Sequence, residues 1–314
     1  MQYNSLGGSG LKVSKICLGT NMFGAEYVDD SRALSVMNTA AEQGINFIDT
    51  ADMYNDGRSE EVVGRGVRGR RQEFVIATKG YSRMGLGPND QGSSRKHLRA
   101  AVEASLRRLD TDYIDLYLLH FWDPDTPLEE SLQALDEMVT EGKIRYLGCC
   151  NFSGWQLSEA VWIARDRGIA QFVVIQPEYN FARRDIEKDI FPLAERYGIG
   201  VTPYQLLMGG MLTGSYTLGK EPPADSHMAT RHAGAARQKY WSEACFKLVA
   251  EVKELAESCG LTPVQIALAW AASRSPVSSV IVGASRPSQL IQNAEAAAII
   301  LPGEVLEELD RFTV

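Results

Sequence analysis

Asp49, Tyr54, Lys79 and His120 are residues whose types could jointly move a proton. An isolated tyrosine titrates near pH ~10 and is a poor acid at neutrality. A neighbouring ammonium favours the phenolate and lowers that value. Lys79 could supply the charge, and Asp49 could hold Lys79 in place. His120 could hydrogen-bond a substrate oxygen or pass a proton. Together they would make a tuned general acid beside an electrophile. That suits carbonyl reduction, in which negative charge gathers on oxygen as hydride reaches carbon. Taken singly, a Lys–Asp pair is an ordinary ion pair and a strand-end histidine an ordinary core residue. The functional reading rests on their joint placement at successive strand ends.

Those strand ends come from the chain's alternation. Short apolar runs at 16–19, 46–49, 74–79, 113–120, 144–150, 172–176, 200–204 and 279–283 read as buried parallel strands. Amphipathic helices separate them. Ala33, Leu34, Met37, Ala40 and Ala41 mark the first, and Leu98, Val102, Leu106 and Leu109 the third. Ser153 is a candidate N-cap for the fifth, and Thr262–Pro263 reads as a cap followed by a first helical turn. Residues 3–6 and 11–13 flank a glycine-rich turn and read as a hairpin. Eight strand–helix repeats point to a (β/α)8 barrel, with an open doubly wound sheet as the alternative. A barrel gathers its active site at the C-terminal strand ends, which Asp49, Lys79 and His120 occupy. Tyr54 follows on the loop after the second strand. No composition shift divides the chain, so residues 1–314 are expected to form one domain. The irregular stretch 209–236 should lie over the barrel mouth as a lid or substrate loop.

The formal net charge of -8 argues against nucleic-acid or anionic-membrane partners. No apolar run is long enough to span a bilayer, and the N-terminus has no signal-peptide core. Cys17, Cys149, Cys150, Cys245 and Cys259 form no CxxC pair, which suits a reducing cytoplasm. Cys149 and Cys150 should point to opposite faces of one strand. The histidines His97, His120, His227 and His232 make no zinc motif, so no metal is expected. Gly64, Gly66 and Gly69 spell GxGxxG, but they end a helical stretch rather than opening one after a strand. A helix terminus and turn is the expected role.

Several segments resemble the aldo-keto reductases. They are GINFIDTADMYNDGRSEEVVG (44–64), VIATKG (75–80), DYIDLYLLHFWDPDTPLEE (112–130), GKIRYLGCCNF (142–152), IQPEYN (175–180) and VGASRPSQLIQN (282–293). The resemblance covers nearly the whole chain. It implies a catalytic tetrad of Asp49, Tyr54, Lys79 and His120, a hairpin plugging the barrel bottom, and no metal. It also implies an NADPH cofactor, with NADH as the alternative. Gly19, Thr20 and Asn21 fall where the family approaches the cofactor, and Asn151 and Gln176 where it holds the nicotinamide carboxamide. Tyr204 falls where a ring stacks on the nicotinamide. Gly283, Ser285, Arg286, Gln289 and Asn293 fall in the segment that grips the adenosine 2′-phosphate. Arg286 suits a phosphate, and Ser285 is expected to open a helix whose N-terminus favours an anion.

The chain departs from the family pattern at three places. Cys150 stands where serine is usual, which weakens that carboxamide contact. Gln205, Leu206 and Leu207 replace a Ser-Pro-Leu run on the pyrophosphate side. Gln289 replaces an arginine frequent in strongly NADPH-dependent members. Phe23, Met53, Tyr81, Phe121 and Trp122 are the candidate walls for an apolar or ring-shaped carbonyl or alcohol substrate. Arg83 and Arg231 could reach a charged one. The rival reading is a cofactor-binding regulatory subunit like the potassium-channel β subunits, in which another residue often replaces His120. A metal-dependent lyase or a Schiff-base aldolase is disfavoured by the lack of ligands and by the pairing of Lys79 with Asp49.

Overall fold

The computed structural model describes residues 1–25, 28–224, 226–229 and 234–312. It opens on an antiparallel hairpin of β1 (Tyr3–Ser5) and β2 (Lys12–Ser14). Parallel strands then alternate with helices: β3 (Ile16–Gly19), α1 (Asp30–Glu42), β4 (Phe47–Asp49), α2 (Arg58–Gly66), β5 (Val75–Gly80) and α3 (Arg95–Leu109). They continue with β6 (Ile114–Leu119), α4 (Leu128–Thr140), β7 (Ile144–Cys150), α5 (Gly154–Arg167), β8 (Phe172–Gln176), α6 (Ile190–Tyr197) and β9 (Gly200–Val201). After β9 come a 3-10 segment (Met208–Thr213), α7 (Gly234–Tyr240), α8 (Glu243–Ser258) and α9 (Pro263–Ser273). The chain ends with β10 (Val280–Gly283), α10 (Pro287–Ala296) and α11 (Gly303–Leu309).

The sheet runs β10-β3-β4-β5-β6-β7-β8-β9, all parallel. Its two ends meet. Val201 bridges Val277, Ser278 N–H donates to the Val201 carbonyl (2.9 Å) and Ile281 N–H to that of Pro203 (3.0 Å). The result is the (β/α)8 barrel. β9 is shorter than the expected 200–204 because Pro177, just after β8, and Pro203 have no N–H to complete the ladders on its two sides. Pairing resumes at the Glu178–Tyr204 bridge.

Side chains alternate across the barrel wall, as strand geometry requires. Cys17, Phe47, Val75, Ala77, Leu116, Leu118, Cys150, Val174 and Ile281 form the interior cluster, together with Leu6 and Val13 of the hairpin. Ile16, Ile48, Ile76, Tyr117, Cys149 and Ile175 belong instead to the larger core between barrel and helices. The two adjacent cysteines thus lie on opposite faces. The hairpin closes the N-terminal end of the barrel. Gly8 N–H donates to the Gly198 carbonyl and Asn4 Nδ2 to that of Ser278. A side chain at Gly7 would come within 2.4 Å of the Gly200 backbone, so this corner needs glycine.

Helix ends follow the sequence signals. Thr262 caps α9 in a capping box with Gln265, and Pro263 takes the first turn. Ser153 N–H donates to Gln156 at the start of α5. Gly64 and Gly66 lie inside α2, and a Cβ on Gly64 would meet the Leu109 carbonyl at 2.6 Å. Gly64 serves close packing of α2 on α3, and Gly66 packs against Met37 of α1.

Candidate active site

The inward positions at the C-terminal ends of neighbouring strands converge on one layer. β4 contributes Asp49 and β5 Lys79; His120 follows β6; β7 contributes Cys150 and β8 Gln176. Lys79 is fully buried, Asp49 and Gln176 nearly so. Lys79 Nζ donates to Asp49 Oδ2 (2.8 Å), to the Thr50 carbonyl (2.8 Å) and to Tyr54 Oη (3.3 Å). Gln176 Nε2 donates to Asp49 Oδ1 (2.9 Å), so both carboxylate oxygens are held. The Tyr54 and His120 rings meet edge to face at 6.0 Å. The structure therefore brings all four candidate catalytic residues together.

Burial disfavours the Lys79 ammonium, but Asp49, with Tyr54 and Cys150, more than offsets it and raises the pKa. Lys79 is a fixed cation. Tyr54 departs from expectation. Burial raises its pKa to about 12, and the opposing pull of Lys79 is smaller. The phenol thus carries its proton at neutral pH. His120 is pushed well below the ordinary histidine value, first by burial and then by Lys79. It is a neutral imidazole, able to hydrogen-bond an oxygen without bringing charge, and its Nδ1 is buried with no partner. Burial likewise raises the Cys150 thiol to about 12, so it is a thiol and not a thiolate.

Asn151, at a left-handed φ of 60°, follows β7 and ties three strand ends together. Its Nδ2 donates to the His120 carbonyl (3.1 Å) and its Oδ1 accepts from Tyr204 Oη (2.6 Å). The Tyr204 ring packs against the barrel interior. Gln205, also at positive φ, accepts Gly209 N–H on its side-chain oxygen (2.9 Å). Among the described residues, no hydrogen bond takes the backbone N–H of Gln205, Leu206 or Leu207. Three successive donors are therefore left for an anion. At α10, Arg286 is the N-cap and exposed, while Asn293 is buried in the helix. Ser285 N–H and Oγ both donate to Gln289 Oε1 (2.9 and 3.0 Å). The helix opens at Pro287 and not at Ser285, a correction of two residues.

Other expectations are corrected by burial. Thr20 is fully enclosed: its hydroxyl contacts Ser59 Oγ (2.8 Å) and donates to the Asp49 carbonyl (2.9 Å). It braces the wall and has no group left for a cofactor, unlike the neighbouring Gly19 and exposed Asn21. Phe23 and the Leu206 side chain are core residues and cannot line a pocket or touch a cofactor. Leu207 packs partly against that core. Met53 and Phe121 are exposed at the mouth; Phe121 stacks on His120 (4.7 Å) and meets Tyr81 (5.6 Å). Trp122 meets Trp155 of α5 at 5.1 Å, a mouth residue that no strand-end signal would reveal. Arg83 is exposed and donates to the Gly87 carbonyl. Arg231 and His232 lie outside the described residues. Among the described residues there is no group of His, Cys, Asp and Glu that could hold a metal ion.

The aldo/keto reductase family model matches residues 15–313. The chain belongs to the aldo/keto reductase family. Its relatives include a probable voltage-gated potassium channel subunit beta of Arabidopsis thaliana, 39% identical over 99% of this chain and 96% of that protein. They also include an uncharacterized oxidoreductase of Bacillus subtilis, 34% identical over 99% of this chain and 95% of the relative. A norsolorinic acid reductase of Aspergillus flavus is 32% identical over 96% of this chain and 78% of its own length. The reductase is thus an oxidoreductase of the NAD(P)H-dependent aldo-keto type. No helix among its described residues is long and apolar enough to cross a membrane.

Proposed function

We propose that the chain is one reductase domain that uses NADPH to reduce an aldehyde or ketone to an alcohol, or runs the reverse reaction, with Tyr54 as the general acid. The observation that carries this reading is the Lys79 ammonium lying between Asp49 (2.8 Å) and Tyr54 Oη (3.3 Å). When bound, NADPH would supply the hydride. The protein's own groups would manage the oxygen. His120, neutral and beside Tyr54, would hydrogen-bond the carbonyl oxygen and orient it. Tyr54 would give its proton to that oxygen as charge develops there. Lys79, held cationic by Asp49, would stabilise the phenolate left behind.

The residues present fit the cofactor. The free N–H groups of Gln205, Leu206 and Leu207 suit a pyrophosphate, and exposed Arg286 a 2′-phosphate. Tyr204 could stack on the nicotinamide, with Asn151, Gln176 and Cys150 near its carboxamide. Ser285, Gln289, Asn293 and Gly283 complete the adenosine side. NADH is the weaker candidate. Phe121 stacked on His120, Tyr81 against Phe121 and exposed Met53 favour an apolar or aromatic carbonyl compound. The unpaired arrangement of all five cysteines suits a reducing cytoplasm.

A second reading, a cofactor-binding regulatory subunit, draws on the channel-subunit relatives. Neutral His120 in contact with Tyr54 favours turnover. The test is to mix the protein with NADPH and a panel of aldehydes, ketones and sugars and follow loss of reduced nicotinamide absorbance. Turnover of at least one carbonyl is expected. Tight NADPH binding with no turnover anywhere in the panel would contradict the reductase reading and favour the regulatory one.

A further inference from the structure

Behind the active layer, on the outer face of the barrel wall, lies a second polar compartment. Thr78 and Tyr117, the outward neighbours of Lys79 and Leu118, open into it from β5 and β6. Glu60 enters from α2, fully buried, accepting from Thr78 Oγ1 (2.5 Å) and Arg108 Nε (2.6 Å). Asp52 enters from the loop after β4. It too is fully buried, and neither carboxylate oxygen makes a well-formed hydrogen bond, although the backbone N–H of Met53 lies beside the group. The Tyr117 hydroxyl is also buried without a partner, and it lies so close to Gly80 that a Cβ there would be 2.1 Å away.

Asp52 is built into the backbone of the active layer. Its N–H donates to the Lys79 carbonyl (3.1 Å), and Tyr54 N–H donates to the carbonyl of Ala51 (3.2 Å). The turn 51–54 that carries Tyr54 is therefore pinned to the strand that carries Lys79. A buried carboxylate without partners is costly, and a neutral acid much less so. Glu60 is already paired with Arg108, so a second negative charge here meets repulsion.

We propose that Asp52 is a positioning residue for Tyr54 and Lys79: as a neutral acid it stays buried behind Lys79 and holds the turn 51–54 in place, and its ionisation drives it toward solvent and displaces Tyr54. This rests on the catalytic reading of Tyr54 and Lys79. Every element around Asp52 bears on its proton. Burial and then the Glu60 carboxylate push the Asp52 pKa up to about 7, against the Met53 N–H, Arg108 of α3 and Lys79 of β5. Tyr117 faces it from β6, as a phenol whose own pKa is raised by burial and by Asp52. The proton is thus lost within the range in which cells work.

The test compares wild type, Asp52→Asn and Glu60→Gln in two measurements across pH. The first is kcat with NADPH and 4-nitrobenzaldehyde as the carbonyl probe. The second is the thermal unfolding midpoint. An acid whose folded pKa is raised gives stability that is complete below its unfolded value and lost as pH rises through the folded one. Asp52→Asn should therefore gain in midpoint over wild type as pH rises from about 5 to about 8. Wild-type kcat should show an inflexion near neutrality, with a several-fold loss above it, that Asp52→Asn lacks. Glu60→Gln removes the neighbouring charge and should move the inflexion to lower pH, which keeps the idea testable if Asp52→Asn does not fold. Parallel midpoints and superposable kcat profiles would overturn the proposal. A pH-dependent stability difference with unchanged kcat profiles would make Asp52 structural only and overturn its positioning role. Absence of turnover in every protein would instead strike the reductase reading, and the midpoints would still decide whether Asp52 carries the proton.

Discussion

At the scale of single residues, the site sets two protonation states against each other. Lys79 is locked as a cation by Asp49, and this charge helps keep His120 neutral. The consequence for His120 can be measured without any substrate. Its folded pKa is depressed, while an unfolded histidine titrates near about 6.5. Below that pH the unfolded chain binds the extra proton and the folded one resists it, so this group's stabilisation is lost as pH falls. His120→Gln removes the effect. The wild-type melting temperature should drop relative to the variant as pH is lowered from about 7.5 to about 5.5. A constant difference across that range would mean that His120 titrates normally.

At the scale of elements, the α10 start bears on the proposed cofactor preference. Gln289 turns back and accepts from both the backbone and the hydroxyl of Ser285, next to exposed Arg286. Arginine at 289 would give up that capping contact and add a second cation beside Arg286. Gln289→Arg should therefore tighten NADPH relative to NADH, by about tenfold for the ~1.4 kcal/mol that one additional charged contact supplies. Fluorescence titration of the two nicotinamides would read the ratio; an unchanged ratio would remove this segment from the 2′-phosphate site. The same scale shows what the sequence made legible. Period-two alternation on β4 to β8 sorts inward Asp49, Lys79 and Gln176 from outward Thr78 and Cys149, so this layer is legible in the sequence. Phe23, Thr20 and Leu206 could not be sorted, because they sit on irregular loops without a period to say which side faces the mouth. Asp52 is not legible in the sequence for the same reason. It ends no strand, and only the folded arrangement of Glu60 and Tyr117 makes it unusual. The end of β9 is not legible in an apolar run, because the run does not show that Pro177 and Pro203 leave its two ladders without donors.

At the scale of the whole molecule, chemistry and stability are placed at opposite ends of the barrel. The C-terminal end holds the polar layer. The N-terminal end is closed by the hairpin, whose Leu6 and Val13 join the interior cluster with Phe47, Val75 and Leu116. Leu6 is fully buried there. Leu6→Ala should cost about 2–5 kcal/mol of unfolding free energy, through lost burial and the cavity left behind. It should leave kcat nearly unchanged, because the active layer lies at the other end. Urea denaturation with an activity assay in dilute buffer separates the two. A large kcat loss in a folded variant would show that the hairpin reaches the active layer.

The central claim is that Tyr54 gives the proton while Lys79 and His120 prepare it. Tyr54→Phe keeps the ring that packs against His120 and Lys79 and removes only the hydroxyl. The most direct measurement is kcat for carbonyl reduction in this variant, beside its NADPH dissociation constant. A positioned general acid contributes about 10²–10⁴-fold, so kcat should fall by that factor with NADPH binding unchanged. Equal turnover by wild type and Tyr54→Phe would contradict the account and leave the proton source elsewhere.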